Sequence, residues 1–168
     1  MVQDLAGKSV AIVGMARSGM AAAEFLWKRG ARVTLSDNRP AVALESEIRV
    51  LSERNIRYET GGHSEQVFES ADLIVVSPGV PLSLPALRHA AQMGKTLLSE
   101  IELASRYLRG KVIAITGTNG KTTTTTLIGE ILRTGGLPVQ VGGNIGTPLV
   151  SLVDSSAEDT WSVVEFGL

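Results

Sequence analysis

The chain has 168 residues, 43% of them hydrophobic and 20% charged, which predicts a folded globular protein rather than a disordered chain. Lys and Arg number 16 and Asp and Glu 17, so the formal net charge of -1 provides no general attraction to nucleic acid or to an anionic membrane. Cysteine is absent, which excludes disulfides and thiolate metal sites.

The N-terminal sequence argues against export. Asp4 stands where a secretory signal has positive charge, and the apolar run Val10–Val13 is too short for the core of such a signal. No stretch approaches the roughly 18 apolar residues of a membrane span. We therefore expect a cytoplasmic protein with no membrane span and no nucleic-acid partner, and the sequence leaves its oligomeric state open.

Short apolar runs alternate along the chain with segments of helical period, which is typical of βαβ units around a parallel sheet. The strands are predicted at Ser9–Val13, Ala31–Ser36, Leu73–Val76, Lys95–Leu98, Val112–Thr116, Pro138–Val141 and Ser162–Glu165. The helices are predicted at an apolar stripe from Met20 to Trp27 and at Val42–Asn55, Ala86–Met93, Glu100–Leu108 and Lys121–Arg133. The predicted fold class is α/β.

A basic turn, Arg109-Gly110-Lys111, separates the segment Glu100–Leu108 from the next strand, and we place a domain boundary there. Residues 1–109 then form a Rossmann-like parallel-sheet domain. Residues 110–168 hold three predicted strands and few helices, whereas a parallel sheet normally has both faces covered. We expect the second domain to be incomplete.

The segment Gly117-Thr118-Asn119-Gly120-Lys121-Thr122, here called the phosphate loop, joins a predicted strand to a predicted helix. Backbone N–H groups at such a helix N-terminus attract phosphate. Gly117 and Gly120 permit the turn, Lys121 can reach the β and γ phosphates, and the Thr122 hydroxyl can ligate Mg²⁺. The pattern indicates ATP or a closely related nucleotide, and we expect residues 110–168 to be the start of a P-loop-type ATP-binding α/β domain.

The phosphate loop departs from the usual Walker A spacing, because Ile115 stands five residues before Gly120 where that motif has glycine. An ordinary strand-to-helix turn is therefore the alternative. Lys121 places a cation at a helix start, where the helix dipole favours anions. A bound anion explains that placement.

The segment Gly14–Gly19 resembles the dinucleotide fingerprint G-x-G-x-x-G, except that Ala16 replaces the second glycine. Asp37 follows at about the distance at which the fingerprint has an acid. Two interpretations stay open: an NAD site, or glycines that only allow close packing of strand and helix.

The turn Ser77-Pro78-Gly79 follows the predicted strand Leu73–Val76. Its Ser77 hydroxyl either donates to a phosphate or caps the turn.

Glu165 closes the last apolar strand. A solvated strand end is one explanation, and a carboxylate near the Mg²⁺ of the phosphate loop is the other.

Six segments, in this order, resemble the Mur ligases, the amide ligases of peptidoglycan precursor synthesis. They are Gly14–Gly19, Ser36–Pro40, Ser77–Pro81, Ser99–Leu103, Gly117–Thr122 and Gly142–Gly146. The resemblance covers Lys8 to about Glu165. The segments Ser36–Pro40, Ser77–Pro81 and Gly142–Gly146 favour the branch of the family that adds D-glutamate.

This resemblance implies an ATP- and Mg²⁺-dependent ligase that adds D-glutamate to UDP-N-acetylmuramoyl-L-alanine in the cytoplasm, a step of cell-wall biogenesis needed for cell shape and division. ATP phosphorylates the terminal carboxylate of the UDP substrate, and the amine of D-glutamate attacks it. In the family, the Rossmann-like domain holds UDP rather than NAD, which also accounts for Ala16.

The resemblance also implies residue roles. The UDP substrate contacts Gly14, Arg17, Ser18, Gly19, Asp37, Asn38, Arg39, Ser77, Pro78, Gly79 and, at its muramoyl part, Asn144. ATP contacts Gly117, Thr118, Asn119, Gly120, Lys121, Thr122 and Thr123. Lys121 and Glu165 are the implied catalytic residues, and Thr122 and Glu165 the implied Mg²⁺ ligands.

One departure concerns the end of the chain. After Glu165 the family continues approximately x-S-S-F-Q, whereas this chain reads Phe166-Gly167-Leu168. The family's later histidine, lysines and third domain have no counterpart here, so we expect a truncated form with negligible ligation by itself. His63 and His89 are expected at the surface.

Two other functions stay open from the sequence. An NAD-dependent oxidoreductase domain would use Gly14–Gly19 but leaves the phosphate loop unexplained. A non-catalytic nucleotide-binding module that regulates a partner is favoured by the short chain alone.

Overall fold

The computed structural model describes residues 4–144 and 146–167. Ile145, within the predicted segment Gly142–Gly146, and Leu168 lie outside the described residues. The chain divides into two compact units, residues 4–100 and residues from 101 onward. That division falls between Glu100 and Ile101, and the domain boundary at residues 109 and 110 stays a prediction.

The first unit is built on a five-stranded parallel sheet with the strand order β3-β2-β1-β4-β5. Its strands are β1 (Ser9–Val13), β2 (Arg32–Asp37), β3 (Arg57–Thr60), β4 (Leu73–Val76) and β5 (Leu97–Ser99). The helices are α1 (Arg17–Lys28), α2 (Glu45–Glu53), α3 (Glu65–Glu69) and α4 (Pro85–Gln92), with a 3₁₀ turn at Ala41–Leu44 before α2. The predicted α/β class is confirmed.

The core of the first unit lies around β1 and β4, whose residues Val10–Val13 and Leu73–Val76 are all buried. Such continuous apolar runs are expected of parallel strands that are covered on both faces. Helix α1 buries Ala22, Ala23 and Leu26, whereas Trp27, which belongs to the predicted stripe, is 42% exposed. The buried face of α1 is thus narrower than the sequence stripe.

Two elements of the first unit have no counterpart in the sequence prediction. Strand β3 is an edge strand in which Arg57 and Tyr58 are exposed, so it lacks the apolar run that marks β1 and β4. Helix α3 has only five residues. The predicted helix Val42–Asn55 is divided, because the 3₁₀ turn ends at the buried Leu44 before α2 begins.

The second unit contains a three-stranded parallel sheet with the order β6-β8-β7. Its strands are β6 (Lys111–Ile115), β7 (Val139–Gly143) and β8 (Trp161–Glu165). Helix α5 (Glu100–Ser105) begins at the division, α6 (Lys121–Thr134) follows β6, and a 3₁₀ turn spans Leu149–Leu152.

The central strand β8 supplies the fully buried Val163 and Val164. Helix α6 packs closely on β7, because a Cβ added at Gly129 would lie 2.7 Å from Cγ2 of Val141. Val112 of β6 is 48% exposed and Ile131 of α6 is 60% exposed, so apolar side chains on these two elements are uncovered within this unit.

Within the described ranges 4–144 and 146–167, no helix combines the length and the apolar character that a membrane crossing requires.

Candidate functional site

The turn from β1 into α1 depends on two glycines. Gly14 has φ +95° and donates its N–H to the Ser36 carbonyl at 2.8 Å. A Cβ added at Gly19 would lie 1.9 Å from the Gly14 carbonyl oxygen and 2.8 Å from Ser77 Oγ. Close packing of strand and helix therefore requires both glycines.

The same turn presents a helix N-terminus that has no acid and no side-chain cap within the helix itself. Ala16, the residue before α1, has no polar side chain to cap the helix, and the first turn of α1 contains no acid. Ala16 and Arg17 are exposed, and Ser18 is half-buried. Backbone N–H groups and the helix dipole at such an end favour an anion.

Asp37 ends β2 with a carboxylate that is almost fully engaged by its neighbours. Its Oδ1 accepts from the backbone N and the Nε of Arg39, at 2.9 and 3.0 Å. Its Oδ2 accepts from Nη2 of Arg39 at 2.8 Å and from the backbone N of Met15 at 2.7 Å. A carboxylate offers about four acceptor positions, so this set leaves no free position for a ligand hydroxyl.

Burial and hydrogen bonding act in opposite directions on Asp37. Burial raises the pKa of this carboxyl group, whereas the Arg39 side chain and the backbone N–H groups of Met15 and Arg39 lower it, and the net pKa is about 2. The same ion pair raises the pKa of Arg39. The Arg39 side chain is 42% exposed, so Asp37 holds a guanidinium group that still faces solvent. Asn38, between them, is exposed.

The turn after β4 divides into a buried and an exposed part. Ser77 is 3% exposed, and its hydroxyl donates to the Gly14 carbonyl at 3.2 Å. This bond braces the turns after β1 and β4, which favours the structural interpretation of Ser77. Pro78 and Gly79 are exposed, and a Cβ at Gly79 would meet no atom within 4 Å.

These turns lie at one edge of the sheet. Val13, the last residue of β1, pairs with Ser36 of β2 on one side and with Val76 of β4 on the other. The chain order reverses at this point, since β2 and β4 flank β1. Ligands of open α/β sheets bind in the crevice outside the strand ends at such a switch point. The predicted UDP-site residues of the first unit are thus brought together.

Sequence patterns did not indicate every contact at this edge. A sequence motif does not show that the backbone N–H of Met15 donates to Asp37. Ser36 was not among the predicted site residues. His63 is half-buried rather than free at the surface, because its Nδ1 lies 2.6 Å from the buried Ser36 Oγ. His63 follows Gly61 and Gly62 in the sequence, and nothing in that local pattern predicts a contact with Ser36.

In the second unit, the phosphate loop leads from β6 into α6. Gly117 has φ +141° and Gly120 has φ +76°, backbone conformations that favour glycine. Gly120 precedes α6 with no polar side chain for capping, and the first turn of α6 contains no acid. Nζ of Lys121 donates to the Gly117 carbonyl at 2.7 Å, so the lysine folds back over the loop. Thr122 and Thr123 are exposed at the helix start.

Glu165 lies at the carboxyl end of the central strand, between the turns after β6 and β7. It pairs with Ile115 on one side and Gly143 on the other, and its carbonyl accepts from the Asn144 backbone N at 3.0 Å. The residue is 2% exposed. Within residues 4–144 and 146–167 its carboxylate forms no hydrogen bond or ion pair, and its oxygens are not among the fully enclosed unpaired polar atoms. A largely buried carboxylate whose oxygens still reach solvent is suited to a cation that approaches from the edge of the sheet.

A second group of potential metal ligands lies in the first unit, away from the predicted residues. Ligand atoms of Glu65, Glu69 and His89 lie within 4.8 Å of one another. Nε2 of His89 contacts Glu69 Oε1 at 3.2 Å, and both side chains are more than 40% exposed. A surface hydrogen bond between His89 and Glu69 accounts for their proximity.

Comparison with known proteins assigns the family. The model of the "Mur ligase MurD-like, N-terminal domain" matches residues 8–99, more than half of the chain, and the model of the "Mur ligase middle domain" matches residues 115–166. The chain belongs to the Mur ligase family. The first match contains Gly14, Asp37 and Ser77, and the second contains the phosphate loop and Glu165. The resemblance predicted from the six segments is confirmed.

Curated relatives agree with this assignment. The chain is 54% identical over 162 residues to the UDP-N-acetylmuramoylalanine--D-glutamate ligase of Acidobacterium capsulatum, covering 96% of this chain and 35% of that protein. It is 51% identical over 162 residues to the protein of the same name from Koribacter versatilis, covering 96% and 36%. The chain thus spans about a third of the length of these relatives.

Solved structures show the same fold. A pseudomurein peptide ligase type C from Methanothermus fervidus matches with a TM-score of 0.53 and 25% identity, covering 95% of this chain and 33% of that one. A murein peptide ligase from Psychrobacter arcticus matches with a TM-score of 0.56 and 22% identity, covering 96% and 38%.

Proposed function

We propose that this Mur ligase chain supplies the UDP-substrate site and the ATP-phosphate site of an enzyme that adds D-glutamate to UDP-N-acetylmuramoyl-L-alanine. One observation above all supports this proposal. The predicted residues lie at two turns that favour anions, each at the carboxyl edge of its own sheet. The chain that carries them is 54% identical to a ligase of that name. The cytoplasmic setting of the reaction stays a prediction.

In the first unit, the proposed UDP site combines a helix N-terminus with a fixed guanidinium group. The exposed start of α1, at Ala16 and Arg17, is suited to the diphosphate. Arg39 is held in one orientation by Asp37, and the adjacent exposed Asn38 offers both a donor and an acceptor to the uracil edge. Asp37 therefore acts by positioning Arg39, and Ser77 by bracing the turn at Gly14.

In the second unit, the residues of the phosphate loop fit ATP and Mg²⁺. When bound, ATP supplies the phosphoryl group that activates a carboxylate, and Mg²⁺ offsets the charge of its phosphates. The start of α6 offers backbone N–H groups, and Lys121 can exchange the Gly117 carbonyl for a phosphate oxygen. The buried carboxylate of Glu165, beside the loop, and the exposed Thr122 hydroxyl are the proposed Mg²⁺ ligands.

The roles of Lys121 and Glu165 in catalysis follow from these positions. Lys121 would hold phosphate charge as it develops, and Glu165 would keep the cation beside it. The contact of Asn144 with the muramoyl part of the substrate stays a prediction.

The structure gives one physical reason against the NAD alternative. In dinucleotide-binding domains, the acid at the end of the second strand accepts the ribose hydroxyls. Here the Asp37 carboxylate already accepts four hydrogen bonds from Arg39 and Met15. A ribose would have to displace them.

Equilibrium titrations of the 168-residue chain with UDP and with ATP test the proposal. We expect each nucleotide to bind with a stoichiometry of about one, ATP binding to require Mg²⁺, and saturating UDP to leave ATP affinity unchanged. Mutual displacement of UDP and ATP would contradict two separate sites, and failure to bind either nucleotide would contradict the proposal as a whole.

A further inference from the structure

A polar network lies beneath the turn that carries Asp37 and Arg39. Its centre is Ser36, whose hydroxyl is fully buried. Ser36 Oγ lies 2.6 Å from Glu59 Oε1, 2.6 Å from His63 Nδ1 and 3.3 Å from the Gly62 carbonyl. The Glu59 carboxylate also accepts from the backbone N and the hydroxyl of Ser64, at 3.0 and 2.6 Å.

The number of protons in this network determines the direction of each hydrogen bond. An ionised carboxylate only accepts, so the 2.6 Å contact between Ser36 and Glu59 requires the Ser36 proton. A hydroxyl has one proton, so Ser36 cannot also donate to His63. The His63 Nδ1 must therefore carry a hydrogen and donate to Ser36 Oγ. In the neutral ring this is the Nδ1–H tautomer, with Nε2 as an acceptor.

The network is continuous with the proposed UDP site. The segment Gly61–Ser64, which contains His63, follows β3 and lies along the turn after β2. The Gly61 N donates to the Arg39 carbonyl at 2.9 Å, and the Gly62 N approaches the Asp37 carbonyl at 3.4 Å. The hydrogen bond from His63 to Ser36 therefore fixes the segment that supports the backbone of Asp37 and Arg39.

We propose that His63 is a positioning residue of the nucleotide site: through Nδ1–H to Ser36 it holds Gly61–Ser64 against the Asp37–Arg39 turn. It acts through the backbone of that turn and does not itself touch the nucleotide. This role rests on the proposed function, because it assumes that the Asp37–Arg39 turn contacts UDP.

Two amide variants separate this role from direct contact. Asn places its side-chain amide close to the position of Nδ1, whereas Gln extends toward the position of Nε2. We expect His63→Ala and His63→Gln to weaken UDP binding about fivefold or more, and His63→Asn to restore most of it. His89→Ala, at the other of the two histidines, is the matched control and should bind UDP like the wild type. Thermal unfolding of each variant verifies that it is folded.

The tautomer gives a readout that does not depend on nucleotide binding. Long-range ¹H–¹⁵N NMR of the imidazole rings at neutral to alkaline pH should show the His63 ring with Nδ1 protonated, and Ser36→Ala should remove this preference. His89→Ala identifies which signals belong to His63.

The outcomes are distinguishable. Rescue by Gln but not Asn, an Nε2–H tautomer, or wild-type UDP affinity in a folded His63→Ala would each overturn the role of His63 alone. Absence of UDP binding by the wild-type chain would overturn the proposed function and this role with it.

Discussion

Ile115 and Glu165 are direct partners in the ladder between β6 and β8, so the buried Glu165 carboxylate belongs to the last strand pair before the phosphate loop. Sheet register, rather than sequence proximity, brings residue 165 to residues 117–122. A carboxylate with no partner among the described residues, beside a helix N-terminus that favours anions, forms a site for a cation and a phosphate together.

Glu165→Gln tests the cation half of this site. We expect the variant to keep the folding stability of the wild type within about 1 kcal/mol, because removing the charge leaves no described partner unsatisfied. Its ATP binding should lose most of its dependence on Mg²⁺, as measured by titrations with and without the metal. Loss of several kcal/mol in urea unfolding would instead indicate a structural role.

Lys121→Ala tests the phosphate half. Because a charge-assisted hydrogen bond contributes about 1.5–3 kcal/mol, ATP affinity should fall at least tenfold. UDP affinity should be unchanged. Arg133→Ala, an exposed cation near the opposite end of α6, is the control and should leave ATP binding intact. A parallel loss of ATP and UDP binding in Lys121→Ala would be evidence for a single fused site.

Gly19→Ala tests the packing of α1 against the turn after β1. The added Cβ would lie 1.9 Å from the Gly14 carbonyl oxygen, so the helix must move. We expect a loss of about 2 kcal/mol or more in urea unfolding, together with weaker UDP binding. The control for stability alone is Gly62→Ala, where a Cβ meets nothing within 4 Å and φ is not positive. Equal stability of the two variants would contradict this account.

Asp37→Asn tests the ion pair with Arg39 through its pH dependence. The pKa of Asp37 is lowered from an ordinary 3.8 to about 2, so its contribution to stability is present above pH 3.8 and is lost as the pH falls toward 2. At pH 7 the variant should be less stable than the wild type by about 2 kcal/mol. The difference should shrink between about pH 5 and pH 2 in urea unfolding. A difference that does not change with pH would exclude this cause.

The sequence predicted the parts of the fold that have strong apolar periodicity. Strands β1 and β4 are buried over Val10–Val13 and Leu73–Val76 and were predicted with the observed limits, Ser9–Val13 and Leu73–Val76. Strand β3 was missed because an edge strand needs no continuous apolar run, and its pairing with β2 is a long-range contact. Helix α3, with five residues, is too short to show a helical period.

The candidate site was predictable to the extent that motifs mark backbone turns. Gly14, Gly19, Gly117 and Gly120 all occur at turns or close approaches that require glycine. The hydrogen bond from the Met15 backbone to Asp37 and the contact of His63 with Ser36 join residues more than 20 positions apart, which no local pattern carries.

The central claim is that the Rossmann-like unit binds a UDP-sugar and not a dinucleotide. Isothermal titration of the 168-residue chain with UDP-N-acetylmuramoyl-L-alanine and, separately, with NADH tests it most directly. We expect saturable binding of the UDP-sugar, weakened by Asp37→Asn, and no binding of NADH at the same concentrations. Tight binding of NADH with none of the UDP-sugar would contradict the account.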